Sequence, residues 1–202
     1  LRMYELFVGP PELDAEWDDR GIDGVSRFLK KVWGLVMDSK DKNIEATKEM
    51  IKERNKLIYD VTTRLENFSL NTVISGFMEH TNKLVEISKK AGGIDTETLG
   101  SMAVLLAPFA PHIAEEIWEQ LGHNETVFAA GWPAYDEEAM KDDEIEIAVQ
   151  INGKTRAVVA LAADVSKEDA LAAGKAAVAD KLTGTIVKEI YVPGRIINIV
   201  QK

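Results

Sequence analysis

Cysteine is missing from all 202 residues, so neither a disulfide framework nor a thiolate metal site is available. Histidine is scarce. His80, His112 and His123 stand on three separate stretches without metal-ligand spacing, and a structural or surface role is expected for each. No apolar run approaches the ~20 residues a membrane helix needs, and the first residues do not read as a secretory leader. A soluble protein of a reducing, cytoplasmic compartment is expected, with no membrane partner. A glycine-rich phosphate cradle is also lacking, because the nearest pair, Gly92-Gly93, reads as a helix stop. Glu115 and Glu116 are adjacent helical positions that point in different directions, so they read as a solvated face rather than a carboxylate pair. No catalytic, cofactor-binding or metal-binding residue is assigned.

Net positive charge is absent as well: the formal charge is −10. The sum hides a division. Acidic residues crowd Glu5 to Asp23 and Asp136 to Glu146, whereas Asn152 to Lys202 holds eight Lys or Arg against five Asp or Glu, a local balance of +3. Lys30 to Lys56 likewise holds eight basic residues against five acidic ones. The charge therefore argues against broad, non-specific polyanion binding but does not exclude local RNA contacts, because affinity for phosphates comes from concentrated cations.

What the chain does have is strong punctuation. In LLAPFAPHIAEEIW, Pro108 and Pro111 lack backbone donors and disfavour helix in the residue before each. One helix must stop near Ala107 and another start at Pro111, with Gly122 as its left-handed end. Upstream, Ile22, Val25, Leu29, Val32, Trp33 and Val36 recur at helical spacing from near Asp19 or Gly21. Further helices are predicted from about Asn43 to Asn67, from Ser69 or Asn71 to Lys90, and after an Asp95 cap. From Glu144 the period becomes two. EIEIAVQI, the turn Asn152-Gly153 and KTRAVVAL form a hairpin, Ser166 caps a helix to about Asp180, and TIVKEIYV, Pro193-Gly194 and RIINIV form a second hairpin. The predicted fold is an antiparallel helical bundle over 1–122, a linker over 123–143 and a compact ββαββ α+β domain over 144–202. The four tryptophans lie in apolar patterns and are expected to pack in the core, Trp132 being the exception to watch because it falls in the linker.

Candidate RNA contacts follow from charge and position. Lys154 and Arg156 alternate with Thr155 just past the first turn, so both are expected on one face of an exposed strand, and Arg195 stands beside the second turn. On the bundle, Arg27, Lys30 and Lys31 are candidates, with Arg54 and Lys56 weaker ones; plain surface charge is the alternative for all of them.

The wording of the proline corner resembles the anticodon-binding helical domain of class I aminoacyl-tRNA synthetases. RMYELF (2–7) with Gly9-Pro10 is similar to the segment after the second ATP-site motif of the bacterial leucine-specific branch of that family. Trp17, Gly21 to Val25, Arg27 to Leu29 and Trp33 resemble its next helix, and Asn71 to Ile74 with Met78, Glu79 and Asn82 a further one. Val149 to Arg156 and Tyr191 to Arg195 are similar to the small C-terminal domain peculiar to the leucine branch. The resemblance implies the tRNA-binding end of a ligase. Its parent would activate leucine with ATP and Mg2+ in a catalytic domain of the same polypeptide, and its own partner would be tRNA(Leu), held at the elbow and long variable arm. A monomer is expected. The chain opens at Leu1 on an apolar helical pattern, not on Met, and is expected to be the C-terminal part of something longer. The alternatives are the same region of a valine, isoleucine or methionine enzyme, or a helical protein–protein interaction module.

Overall fold

The two prolines make the corner their chemistry dictates. In the computed structural model, which describes residues 1–18, 20–141 and 144–202, α5 (Thr96–Leu106) ends at Ala107, and α6 (Pro111–Gln120) begins with Pro111 in its first turn. Phe109 is buried between them. Gly122 ends the corner with φ 91°, as a glycine without Cβ readily does. Before the corner come α1 (Arg2–Phe7), α2 (Gly21–Met37), α3 (Lys48–Glu66) and α4 (Leu70–Ala91). Asp19, one of the two starts considered for α2, lies outside the described residues.

Side-chain caps place several boundaries. Thr47 accepts from the Met50 N–H, so α3 starts five residues later than the apolar spacing implied. Asp95 caps α5 by accepting from the Thr98 N–H. Gly92, with φ 85°, closes α4. The periodic residues then meet in one core: Phe28, Val32 and Val36 of α2, Met50, Leu57 and Val61 of α3, Ile74, Phe77 and Leu84 of α4, and Leu99, Met102 and Leu105 of α5. α3 lies along α4, which also meets α1 and α2, while α5 packs on α3 and α6. Burying each large apolar side chain contributes roughly 1.5–3 kcal/mol relative to exposure.

This first unit runs to Met140 and not to 122. The expected linker of 123–143 is mostly fastened to the helices. Val127 is buried, and Glu115 of α6 accepts from the Val127 N–H and from the Thr126 hydroxyl. Trp132 Nε1 donates to Thr62 Oγ1 at 2.9 Å, Tyr135 stands edge-on to Tyr59, and the Asp136 N–H donates to Asn55 Oδ1 at 2.7 Å. Residues 132–136 thus form a strap along α3. Single hydrogen bonds of this kind leave no period in sequence, which is why polar composition alone reads as linker. Asp142 and Asp143 of that span lie outside the described residues.

The second unit, Lys141–Lys202, contains β1 (Glu144–Ile151), β2 (Lys154–Ala162), α7 (Lys167–Ala177), β3 (Ile186–Val192) and β4 (Ile196–Gln201). The chain as described is α+β, with seven α-helices and one mixed four-stranded sheet. Asn152 and Gly153 both take positive φ, 50° and 78°, the pair a tight two-residue hairpin needs. Strand order is β2-β1-β4-β3, with β1 and β4 parallel and both hairpins antiparallel. Ile147, Val149, Ile151, Ile197 and Ile199 face α7, whose Ala170 and Leu171 complete a small core. A Cβ on Gly174 of α7 would come within 2.9 Å of Ile197 Cγ2, so glycine lets helix and sheet approach closely there.

Candidate nucleic-acid interface

The cations singled out in the second unit divide between two ends of its sheet. Lys154, Arg156 and Arg195 are all exposed, and among the described residues their side chains make no hydrogen bond or ion pair. Because β1 and β4 run parallel, the turn after β1 and the turn before β4 lie at opposite ends of that pair. Ile151 is level with Ile199, and Ala148 with Ile196. Lys154 and Arg195 are therefore separated by about 13 Å along the strands and about 10 Å across them. They do not form one cluster.

Alternation along β2 is also broken. Val149 pairs with Ala157 but Gln150 pairs with Thr155, so Arg156 is the extra residue of a β-bulge. Lys154 pairs with Ile151 of the buried face, whereas Thr155 receives a bond from Gln150 Nε2 on the opposite face. The expectation that Lys154 and Arg156 project from one face by simple alternation does not survive this register. Arg195 sits within the turn, and β4 starts one residue after it. The Asn152 turn is pinned to β4: its side-chain NH2 donates to the Gln201 carbonyl and its Oδ1 accepts from the Gln201 N–H.

On the first unit the candidates take different roles. Lys31 donates to Asn82 Oδ1 at 2.7 Å and ties α2 to α4. Arg27 bonds the Asp23 carbonyl one turn back along its own helix. Lys30 is exposed at the rim of an apolar groove of about 440 Å³ that Ile22, Leu29, Trp33 and Ile113 also line. Arg54 is withdrawn from any ligand, since its side chain is only 11% exposed and its Nη1 lies 2.7 Å from Glu97 and 3.5 Å from Asp95. Lys56 is also engaged within the protein.

One histidine is buried, and its partners are not evident from the sequence. His80 of α4 is 2.6 Å from Glu53 Oε1 through Nδ1 and 3.3 Å from Asp60 Oδ2 through Nε2. Asp60 also receives Arg64 Nε at 2.8 Å, and Lys83 approaches Glu53. Glu53 and Asp60 are seven residues apart, two helical turns, so they share a face of α3. That spacing was the available signal. Among the described residues no group of three or more His, Cys, Asp or Glu is arranged to hold a metal ion.

Two carboxylates, exposed Asp18 and half-buried Glu115, are held below their ordinary pKa values. Asp18 is lowered by its side-chain bond from Arg20 and by the Arg20 N–H, and Glu115 by the Thr126 hydroxyl and the Val127 N–H. Both act as fasteners. Core packing predicted for the tryptophans fails at Trp17, which is 59% exposed and edge-on to Tyr4 at 5.0 Å, and Trp132 is 42% exposed. Trp118 stacks on His123 at 3.5 Å.

Residues 47–171 match the family described as "Anticodon-binding domain of tRNA ligase". The leucine–tRNA ligase of Parabacteroides distasonis is 47% identical over 212 residues, covering 99% of this chain and 22% of that protein. Those of Chlorobaculum tepidum and Thermotoga maritima are 42% and 38% identical over 100% and 99% of the chain, and 26% and 27% of their own lengths. The chain thus spans about a quarter of the curated relatives it matches. Among solved structures, the LeuRS of Agrobacterium radiobacter K84, in a ternary complex with tRNA and LeuAMS, matches 100% of the chain and 28% of its own, with a TM-score of 0.79 at 30% identity.

Proposed function

The chain belongs to the anticodon-binding domain family of tRNA ligases, and from that premise we propose that it is the tRNA-handling part of a leucine–tRNA ligase. In this reading a class I-type anticodon-binding bundle is followed by a compact ββαββ domain. Together they position tRNA(Leu) for ATP-dependent leucylation by a catalytic domain of the same polypeptide. ATP and Mg2+ would be held by that domain and not by this chain. The parent would be a cytoplasmic monomer. The observation that carries the reading is the extent of the likeness: 47% identity to a leucine–tRNA ligase runs through both units. Valine, isoleucine and methionine enzymes are not favoured, and neither is a free-standing protein-interaction module.

Phosphate contacts are assigned to Lys154, Arg156 and Arg195, whose exposed side chains have no hydrogen-bond or ion-pair partner among the described residues, with Lys30 next in rank. Arg27 and Lys31 are weaker candidates because each already has a partner in its own unit. The test is equilibrium binding of a labelled tRNA(Leu) transcript to the purified chain over a range of KCl concentrations, beside leucine-dependent pyrophosphate exchange. Binding should weaken steeply with salt, and replacing Lys154 and Arg156 together with Ala should reduce the log–log slope by ~0.7–0.9 per lost contact. Exchange should stay at the no-protein blank. Leucine-dependent exchange above it overturns the reading of the chain as a non-catalytic part, and absence of tRNA binding overturns the tRNA-handling role.

A further inference from the structure

Asparagine followed by glycine is the pair that loses its side-chain amide most readily in water, because no Cβ on the glycine hinders attack by its backbone nitrogen. Of the eight asparagines in the chain, only Asn152 has glycine next to it. Asn152 and Gly153 form the two-residue turn between β1 and β2, and both are exposed, so water reaches them freely. By exposure alone, this turn should lose its amide as fast as an unfolded peptide.

The last strand engages every group that the reaction needs. The Asn152 side-chain NH2 donates to the Gln201 carbonyl at 3.0 Å, and its Oδ1 accepts from the Gln201 N–H at 2.9 Å. Both ends of the amide are therefore committed to β4, away from the peptide that follows Asn152. The attacking nitrogen is occupied too, since the Gly153 N–H donates to Asn198 Oδ1 at 3.2 Å. The Asn152 N–H donates to the Ile199 carbonyl at 3.0 Å, which extends the parallel β1–β4 ladder into the turn. Gln201 is fastened in its own right: its Oε1 accepts from the Gly184 N–H, and its Nε2 donates to the Lys181 carbonyl. Four bonds from β4 thus hold a turn of two residues.

We propose that Asn152-Gly153 is a deamidation site gated by β4, closed while the last strand is paired and reactive when its C-terminal end opens. In the open state the Gly153 nitrogen gives up its proton and attacks Asn152 Cγ. A new N–Cγ bond closes a succinimide ring, and the Cγ–Nδ2 bond breaks to release ammonia, which carries the proton away. Water then opens the ring. Cleavage of the N–Cγ bond gives aspartate, whereas cleavage of the original peptide bond gives isoaspartate, with the chain running through Cγ. Water is the sole co-reactant, and nothing is oxidised or reduced. Neither product restores the closed turn. The aspartate carboxylate has no hydrogen to donate to the Gln201 carbonyl, and isoaspartate adds a backbone carbon to a turn built on two residues at positive φ. The modification is one-way, so acid at position 152 accumulates with the time the end of β4 has spent unpaired.

The experiment follows acid at position 152 by peptide mapping of the folded 202-residue chain at mildly alkaline pH. It is run beside the synthetic octapeptide Val149–Arg156 and the same chain in urea. Chromatography ahead of mass spectrometry separates aspartate from isoaspartate. Local opening against four hydrogen bonds should slow the folded chain roughly ten- to a thousandfold relative to the peptide, and urea should restore the peptide rate. Asn198→Ala removes the acceptor of the Gly153 N–H and should speed the reaction about two- to tenfold, whereas Asn198→Asp keeps an acceptor oxygen and should stay slow. Amide exchange at Val149 and Ile199 checks that the sheet stays closed in both variants; if alanine opens it, the contrast between folded chain and peptide decides by itself. A folded chain that reacts at the peptide rate overturns the proposal, as does an unchanged rate in a closed Asn198→Ala sheet. Asn152→Asp, which stands for the first product, should melt below the unaltered chain, and an equal midpoint overturns the one-way character of the gate.

Discussion

Glu115 stands on α6, yet its carboxylate holds the chain that follows the helix, by accepting from Thr126 and Val127. Those donors favour the charged form, so its pKa in the folded protein lies below its unfolded value. The sign follows: the tie contributes stability above the unfolded value and loses it as pH falls through the lower folded one. Protection of the Val127 amide, corrected for intrinsic exchange, should therefore persist at neutral pH and decline once pH drops below the ordinary carboxylate range. Glu115→Ala should lack that protection at every pH; equal protection in the variant would show that the burial of Val127 holds the segment instead. In sequence, Glu115 is one more acidic residue of a solvated face. His80 is similar: it reads as a lone histidine because its partners Glu53 and Asp60 lie 27 and 20 residues away.

At the scale of elements, the α3–α4 contact depends on a residue that helix propensity would reject. Gly76 lies inside α4, where alanine is ordinarily better by roughly 1 kcal/mol. A Cβ there would come within 2.6 Å of Asp60 Oδ2 and 2.8 Å of Arg64 Nη1, the side chains that hold His80 and bond the Thr72 carbonyl. Gly76→Ala should lower the midpoint of thermal or urea unfolding despite its better propensity. Gly34→Ala in α2, where a Cβ meets nothing within 4 Å, should raise stability by about 0.5–1 kcal/mol. Opposite signs from one chemical change separate close approach from propensity. A gain at both positions would mean that α4 shifts cheaply.

For the whole molecule, the boundary between units has moved toward the strands. Thr126, Val127, Trp132, Tyr135 and Asp136 are each engaged by the helices, so backbone available to a protease should begin after Asp136. Limited trypsin digestion should cut first at exposed Lys141, leaving fragments 1–141 and 142–202 in mass spectrometry. A protease that accepts aromatic residues should spare Trp132 and Tyr135 over the same period. Early cleavage at either would restore the longer linker. The C-terminal fragment, at about 60 residues, is near the lower size at which a core suffices without a metal or disulfide.

The sequence by itself determined where most helices begin and end, because caps, prolines and left-handed glycines act within a few residues of themselves. It also determined the change of period at Glu144 and, through its motifs, the family. Exposed cations were legible too, since Lys154, Arg156 and Arg195 border turns that composition marks. Their grouping was not. Only the tertiary structure decided that β1 and β4 pair in parallel, which parts the two turns, and that a bulge takes Arg156 out of the alternation of β2. It alone decided that residues 123–136 fasten to the helices. These outcomes depend on contacts between residues tens of positions apart, and a pattern confined to neighbouring residues carries no trace of a hydrogen bond whose partner lies 81 residues away, as from Asp136 to Asn55.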